Sequence, residues 1–284
     1  MLNITSGPAT IVDPSYIEYL EQPPGIIQGT KTIQINDDHR LHLSGEFGGF
    51  RIYLLVNHTR AEVIPETVRQ VSRTHFIATV KLELLPNKIT EHEIHFRAPV
   101  TSFSGVKARR YGLFPDSFEF KVNSPKTETY PCSLHFLQHF AENCPLIPLN
   151  IQYIGITKSE NREAHHRLEK GHEKLQKLLS EQNRRPSKQT TSIVLYRPSD
   201  LKDSSISFSD LIEIFEASMI SYFQPRPLNI SRLNFPNDSP DLCKKIKSLN
   251  VQNVMTTITA PKGTKLFSNT IEMDKEHTTI IEIK

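Results

Sequence analysis

A short strand that stops at a glycine and feeds a basic helix constrains this chain more than any other stretch. Tyr153-Ile154-Gly155-Ile156-Thr157 reads as the strand, and the segment from His166 to Gln176 as the helix. Ala164, Leu168, Leu175 and Leu179 recur at helical spacing and predict one core-facing stripe. Gly171 falls on that stripe, where a missing side chain weakens a helix but lets another backbone come close. Arg167 and His172 lie near the two edges of the stripe. A strand, a tight glycine and a helix carrying Arg and His beside a buried seam suit a functional site.

Downstream, Ser192-Ile193-Val194-Leu195-Tyr196-Arg197 reads as a buried strand ended by Pro198. A helix over 210–223 follows, its start marked by Ser207 and Asp210 in capping-box spacing. Strand, helix, strand, helix is an α/β order. A short helix over 240–249 and strands at 254–259 and 278–283 form a tail. The residues upstream are different. Residues 1–29 read as an irregular lead-in with Pro14, Pro23 and Pro24. Runs at 31–36, 40–44, 50–56, 75–84 and 91–97 predict a mostly antiparallel β domain over residues 30–125, and the 50–56 run is the most continuously apolar. Lys107-Ala108-Arg109-Arg110 reads as a basic loop, either solvated or in contact with phosphate. Pro145 and Pro148 exclude a helix interior around them. The expected fold class is therefore α+β. A β-rich accessory or recognition domain over 1–125 precedes an α/β domain with a C-terminal extension over 126–284.

With 284 residues the chain is long enough for two domains, and its net charge of +3 permits a nucleic-acid partner without demanding one. Between Lys158 and Lys188 nine Lys and Arg face five Asp and Glu, which suits a polyanion or a solvated helix equally. Cys132, Cys144 and Cys243 stand far apart, against a zinc knuckle or a disulfide framework and in keeping with a reducing compartment. With no signal-peptide pattern and no apolar run long enough for a membrane span, the expected location is cytoplasmic. The absence of a Walker A loop, of Gly-x-Gly-x-x-Gly and of Gly-x-Ser-x-Gly disfavours NTPase, dinucleotide-dependent and α/β-hydrolase chemistry.

Glu216 carries the most information of any single residue. On a helix its neighbours are Ile212, Glu213, Met219 and Ile220, mostly apolar, so its carboxylate is expected on a largely buried face. Such a carboxylate needs a partner. A structural ion pair with Arg162 or Arg167 and a metal-binding role are both open. Glu213 is expected to reach water. His165, Glu169 and His172 share one face of a continuous helix and form a second candidate metal trio, opposed by the surrounding lysines.

Over about residues 145–230, roughly a third of the chain by simple length, these residues together resemble the GIY-YIG nuclease domain. Tyr153-Ile154-Gly155 matches the second signature triplet, with Arg167, His172, Glu216 and Asn229 following in the family's order. The resemblance implies metal-dependent hydrolysis of a nucleic-acid phosphodiester, DNA being the expected substrate, in a setting such as bacterial defence or restriction. It implies Glu216 as the ligand of Mg²⁺ or Mn²⁺, Arg167 stabilising the phosphate, and Tyr153 or His172 helping to activate water. Arg162, Lys170, Lys174, Lys177, Arg184 and Arg185 would contact nucleic acid, Asn229 would position the last strand or contact the nucleic acid, and the β domain could receive a protein partner. One departure stands out. The family's first triplet belongs about ten residues ahead of Tyr153 on a paired strand, and Glu142-Asn143-Cys144-Pro145 stands there instead. The alternative is a catalytically inactive nuclease-like module within a multi-protein, defence-type assembly.

Overall fold

The computed structural model describes residues 1–12, 14, 27–28, 31–32, 50–85, 88–100, 102–111, 114–122, 128–137, 140–158, 164–169, 172–184, 189–198 and 206–283. In chain order the strands are β1 (Leu2–Val12), β2 (Ile27–Gln28), β3 (Lys31–Thr32), β4 (Ile52–Thr59), β5 (Glu62–Val63), β6 (Arg69–Gln70), β7 (His75–Leu85), β8 (Lys88–Arg97), β9 (Phe103–Tyr111), β10 (Phe114–Val122) and β11 (Glu128–Ser133). After α1 (Leu134–Leu137) come β12 (Ile147–Ile156), α2 (Ala164–Glu169), α3 (Glu173–Arg184), β13 (Gln189–Pro198), α4 (Phe208–Phe223), α5 (Pro240–Ser248), β14 (Asn253–Thr259), β15 (Thr264–Phe267) and β16 (Glu276–Glu282). The fold is mixed α and β, as expected. The strand candidates at 33–36 and 40–44 lie outside the described residues.

A seven-stranded sheet in the order β15-β12-β4-β13-β1-β14-β16 organises the chain. β4, third in that order, pairs antiparallel with β12 on one side and with the central strand β13 on the other. Both faces of β4 are covered. Ile52, Leu54 and Val56 join the cluster that includes Ile212, Phe215 and Met219 of α4, while Tyr53 and Leu55 join Leu168 of α2 and Leu175 and Leu178 of α3. A strand buried on both faces reads as a continuous apolar run, which is how 50–56 stands in the sequence.

The division at residue 125 does not follow this hydrogen bonding. β1 and β4 belong to the same sheet as β12 and β13, so the expected N-terminal domain is corrected to an insertion, β5–β11, between β4 and β12. β7 pairs with β5, β6 and β8, and β10 lies between β9 and β11. Phe76, Phe96, Phe118, Phe120 and Phe103 pack at its centre, with Phe76 5.0 Å from both Phe96 and Phe118 between ring centroids. Loop closure grows only by about 0.6 kcal/mol per doubling of length, so a folded insertion between paired strands costs little.

Two local readings are also corrected. The irregular lead-in contains β1, whose Gly7 and Pro8 fall in a register shift between Ser6 and Ala9, where a residue without an N–H is tolerated. The basic Lys107–Arg109 stretch belongs to β9, and Lys107 Nζ and Arg109 Nη1 both bond Glu119, at 2.8 and 3.2 Å. No helix among the described residues is long and apolar enough to cross a membrane.

Candidate active site

The strand hydrogen-bonded to Tyr153-Ile154-Gly155 is β4, with Gly155 opposite Tyr53, Ile154 opposite Leu54 and Tyr153 opposite Leu55. Tyr53 is fully buried. A side chain at Gly155 would have no room, because a Cβ there would lie 2.5 Å from the Tyr53 phenol and 2.7 Å from the Tyr153 ring. Glycine is therefore required for the two tyrosines to share this face. A β-bulge between Ile151 and Tyr153 precedes the pair and re-aims the end of the strand.

His172 completes a triangle of rings. Its centroid lies 5.5 Å from Tyr53 and 5.4 Å from Tyr153, and the tyrosines are 6.0 Å apart. The expected continuous helix is corrected here: α2 ends at Glu169 and α3 begins at Glu173, so His172 caps α3 instead of sitting within a helix. Its carbonyl accepts from the Gln176 N–H at 2.9 Å, and its Nδ1 accepts from the Leu175 N–H at 3.4 Å. Burial, with the charges of Arg167 and Lys174, pushes the ring down to about 4. The neutral ring thus carries its proton on Nε2 and donates it to Tyr53 Oη at 2.9 Å.

Arg167 reaches from α2 to the end of β12, where Nη1 donates to Ile156 O at 2.6 Å. The Ala164 N–H, bonded to Phe50 O at 2.8 Å, fixes the start of α2 against the start of β4. Burial pushes the Tyr53 and Tyr153 phenols up, Glu216 adds to this, and Arg167 opposes it. Glu216 and Arg167 therefore both act on the tyrosine pair.

β15 pairs with β12 only as far as Asn150, leaving the outer side of β12 without a strand from Ile151 onward among the described residues. Asn229 fills that place. It accepts from the Ile154 N–H at 2.9 Å and donates to Ile154 O at 3.0 Å, much as a neighbouring strand residue would. It is 6% exposed. The expected nucleic-acid contact at Asn229 is corrected to a backbone clamp, since its amide is spent on the chain itself.

Ser207 caps α4 as expected, accepting from the Asp210 N–H at 3.1 Å. The helix carries Glu216 beside buried Ile212, Met219 and Ile220. Among the described residues its ion-pair partner is Arg232, whose Nη1 lies 3.2 Å from Oε2, and not Arg167, which bonds Ile156 O. The other expected partner, Arg162, lies outside the described residues. Glu213 is not simply wet, since it bonds Arg232 and, at 2.9 Å, Lys158. Burial raises the Glu213 carboxyl, and these bonds more than offset it, leaving it below the ordinary range. Burial raises Glu216 to about 7 against the pull of Arg232, Lys158 and Arg167.

Among the described residues no group of three or more His, Cys, Asp or Glu is gathered to hold a metal. Glu216 Oε1 makes no hydrogen bond among them, so the site offers one hard oxygen. That fits an ion such as Mg²⁺, which is held by one or two carboxylates together with substrate phosphates and water. Lys174 and Lys177 lie on α3, and Lys174, whose charge acts on Tyr153 and His172, pairs with Glu173 at 3.2 Å. Arg162, Lys170, Gly171 and Arg185 lie outside the described residues, as do the side chains of His165, Glu169 and Arg184. Tyr53, Arg232 and Lys158 are the participants the sequence did not single out. No protein-family model, curated protein or solved structure matches this chain.

Proposed function

We propose that this protein is a metal-dependent endonuclease of the GIY-YIG type that hydrolyses nucleic-acid phosphodiester bonds, with DNA the expected substrate. The observation that carries the reading is Tyr53 across from Gly155, in contact with His172. The reading takes Arg51-Ile52-Tyr53 as the counterpart of the family's first triplet, moved far upstream by the β5–β11 insertion.

In this mechanism Glu216 would hold a divalent ion, which when bound would supply positive charge near the scissile phosphate. The chain's own residues supply the rest. Arg167, anchored on Ile156 O, stabilises charge building on the phosphate oxygens. The phenolate form of the buried Tyr53 takes the proton of the attacking water through the hydroxyl of Tyr153, to which it is hydrogen-bonded, favoured by Arg167 and by donation from His172 Nε2. Burial keeps that form minor in the free protein. Tyr153, half-buried at the rim of the same face, orients the water or the phosphate. Lys174 and Lys177 attract the polyanion.

The alternative of a nuclease-like module without catalysis draws on one observation, the grip of Arg232 on Glu216. Incubation with plasmid, single-stranded DNA and RNA, with Mg²⁺ or Mn²⁺ and with EDTA, decides between them. The nuclease cuts in an EDTA-sensitive manner, and Glu216→Gln lowers the rate by about a hundredfold or more. Because Glu213 also holds Arg232, Glu216→Gln leaves no stranded cation, and stability should hold. A protein that cuts none of these substrates with either metal is the module.

A further inference from the structure

The mechanism leaves Arg232 without a role, yet its placement is unusual. Its backbone is left-handed, with φ at 64°. A non-glycine residue keeps that conformation only where its surroundings over-determine it, and such residues gather at functional sites. The fixing comes from α4. Nη1 donates to Glu213 O at 3.1 Å and to Glu216 Oε2 at 3.2 Å, while Nη2 donates to Glu213 Oε1. Lys158 Nζ closes the cluster on Glu213 Oε2 at 2.9 Å. Two cations thus meet two carboxylates one helical turn apart. Without those cations the carboxylates would present a doubly negative site to a divalent ion. With them the local charge is balanced, and an arriving ion meets the guanidinium's repulsion.

We propose that Arg232 is a positioning residue for Glu216, a fixed counter-cation that leaves only Oε1 to a divalent ion and makes tight ion binding depend on a nucleic-acid phosphate arriving with it. The inference rests on the nuclease reading. Glu213 is the anchor: two of the bonds that hold Arg232 go to Glu213, so the guanidinium stays in place whatever Glu216 binds. A phosphodiester brings the negative charge that the balanced cluster lacks, and ion and nucleic acid therefore raise each other's affinity by the same factor.

Calorimetric titration of the full chain with Mn²⁺, alone and with duplex DNA made uncleavable by phosphorothioate linkages, tests this. Wild type should bind Mn²⁺ weakly alone and at least about tenfold more tightly with the duplex, a typical coupling between sites. Arg232→Gln should tighten Mn²⁺ binding to the free protein by about tenfold, since a neighbouring positive charge is gone. It should also lose most of the gain from DNA, whereas Arg232→Lys should behave as wild type. Equal Mn²⁺ affinity of free wild type and Arg232→Gln overturns the proposal. So does a wild type that binds Mn²⁺ equally with and without DNA, a comparison that needs no variant to fold. A wild type that takes up no Mn²⁺ even with DNA removes the nuclease reading itself, and so separates the two failures.

Discussion

Gly155 stands directly opposite Tyr53 across the antiparallel pair of β4 and β12, and a Cβ at Gly155 would lie 2.5 Å from the Tyr53 phenol. Tyr53 is fully buried and bonded to His172, so its ring cannot swing aside at low cost. Gly155→Ala should therefore destabilise the protein by about 1–3 kcal/mol, the usual scale of overpacking. Chemical denaturation measures it. Unchanged stability would mean that the ring yields freely.

Asn229 supplies both hydrogen bonds of Ile154 on the open side of β12. Asn229→Ala leaves a buried N–H and a buried C=O without partners, at about 1–3 kcal/mol for each. The loss should appear in the melting temperature, with affinity for nucleic acid per folded molecule unchanged. A variant of normal stability that binds nucleic acid poorly would restore Asn229 as a contact residue.

His172 ties the site to pH through stability. Its folded value of about 4 lies below the ordinary 6.5, so under acid the unfolded chain takes up a proton that the folded chain refuses. The contribution is fully present above 6.5 and is lost as pH falls through that window towards 4. The melting temperature of wild type should thus fall more steeply than that of His172→Gln between these values. Parallel pH curves for the two proteins would contradict a buried neutral ring.

The sequence made much of the downstream half legible. The capping pair Ser207 and Asp210, the burial of Ala164 and Leu168 on α2 and of Leu175 on α3, and the burial of Glu216 follow from local spacing. The expected single stripe is nonetheless split between two helices, and Leu179 is only partly buried beside Leu178. Tyr53 was not legible from spacing, because strand pairing carries no limit on separation along the chain. A signal was nonetheless present. The unbroken apolarity of Ile52–Val56 is the mark of a strand covered on both faces, unlike the alternation of Lys88–Arg97, whose outward residues are mostly exposed. Arg232 was hidden for a different reason. Its role depends on a left-handed turn and on a partner helix, neither of which leaves a periodic trace.

If the Tyr53 phenolate is the proton acceptor, the burial that raises its pKa also shapes the pH–rate profile. Cleavage should climb by about tenfold per pH unit between about 7 and 9, as expected for a base that is mostly protonated there. Below about 7 protonation of Glu216, the carboxylate that holds the ion, should steepen the fall, while His172, already neutral, adds no limb of its own. A rate that levels off at neutral pH would assign the base elsewhere.

The most direct test of the site as built here is cleavage by Tyr53→Phe compared with wild type, in Mg²⁺ and at matched folded fraction. Phenylalanine keeps the ring that packs against Gly155, Tyr153 and His172 and removes only the hydroxyl. Loss of one general base should lower the rate by about a hundredfold or more while substrate binding persists. Cleavage by Tyr53→Phe at the wild-type rate would contradict a catalytic Tyr53 on β4.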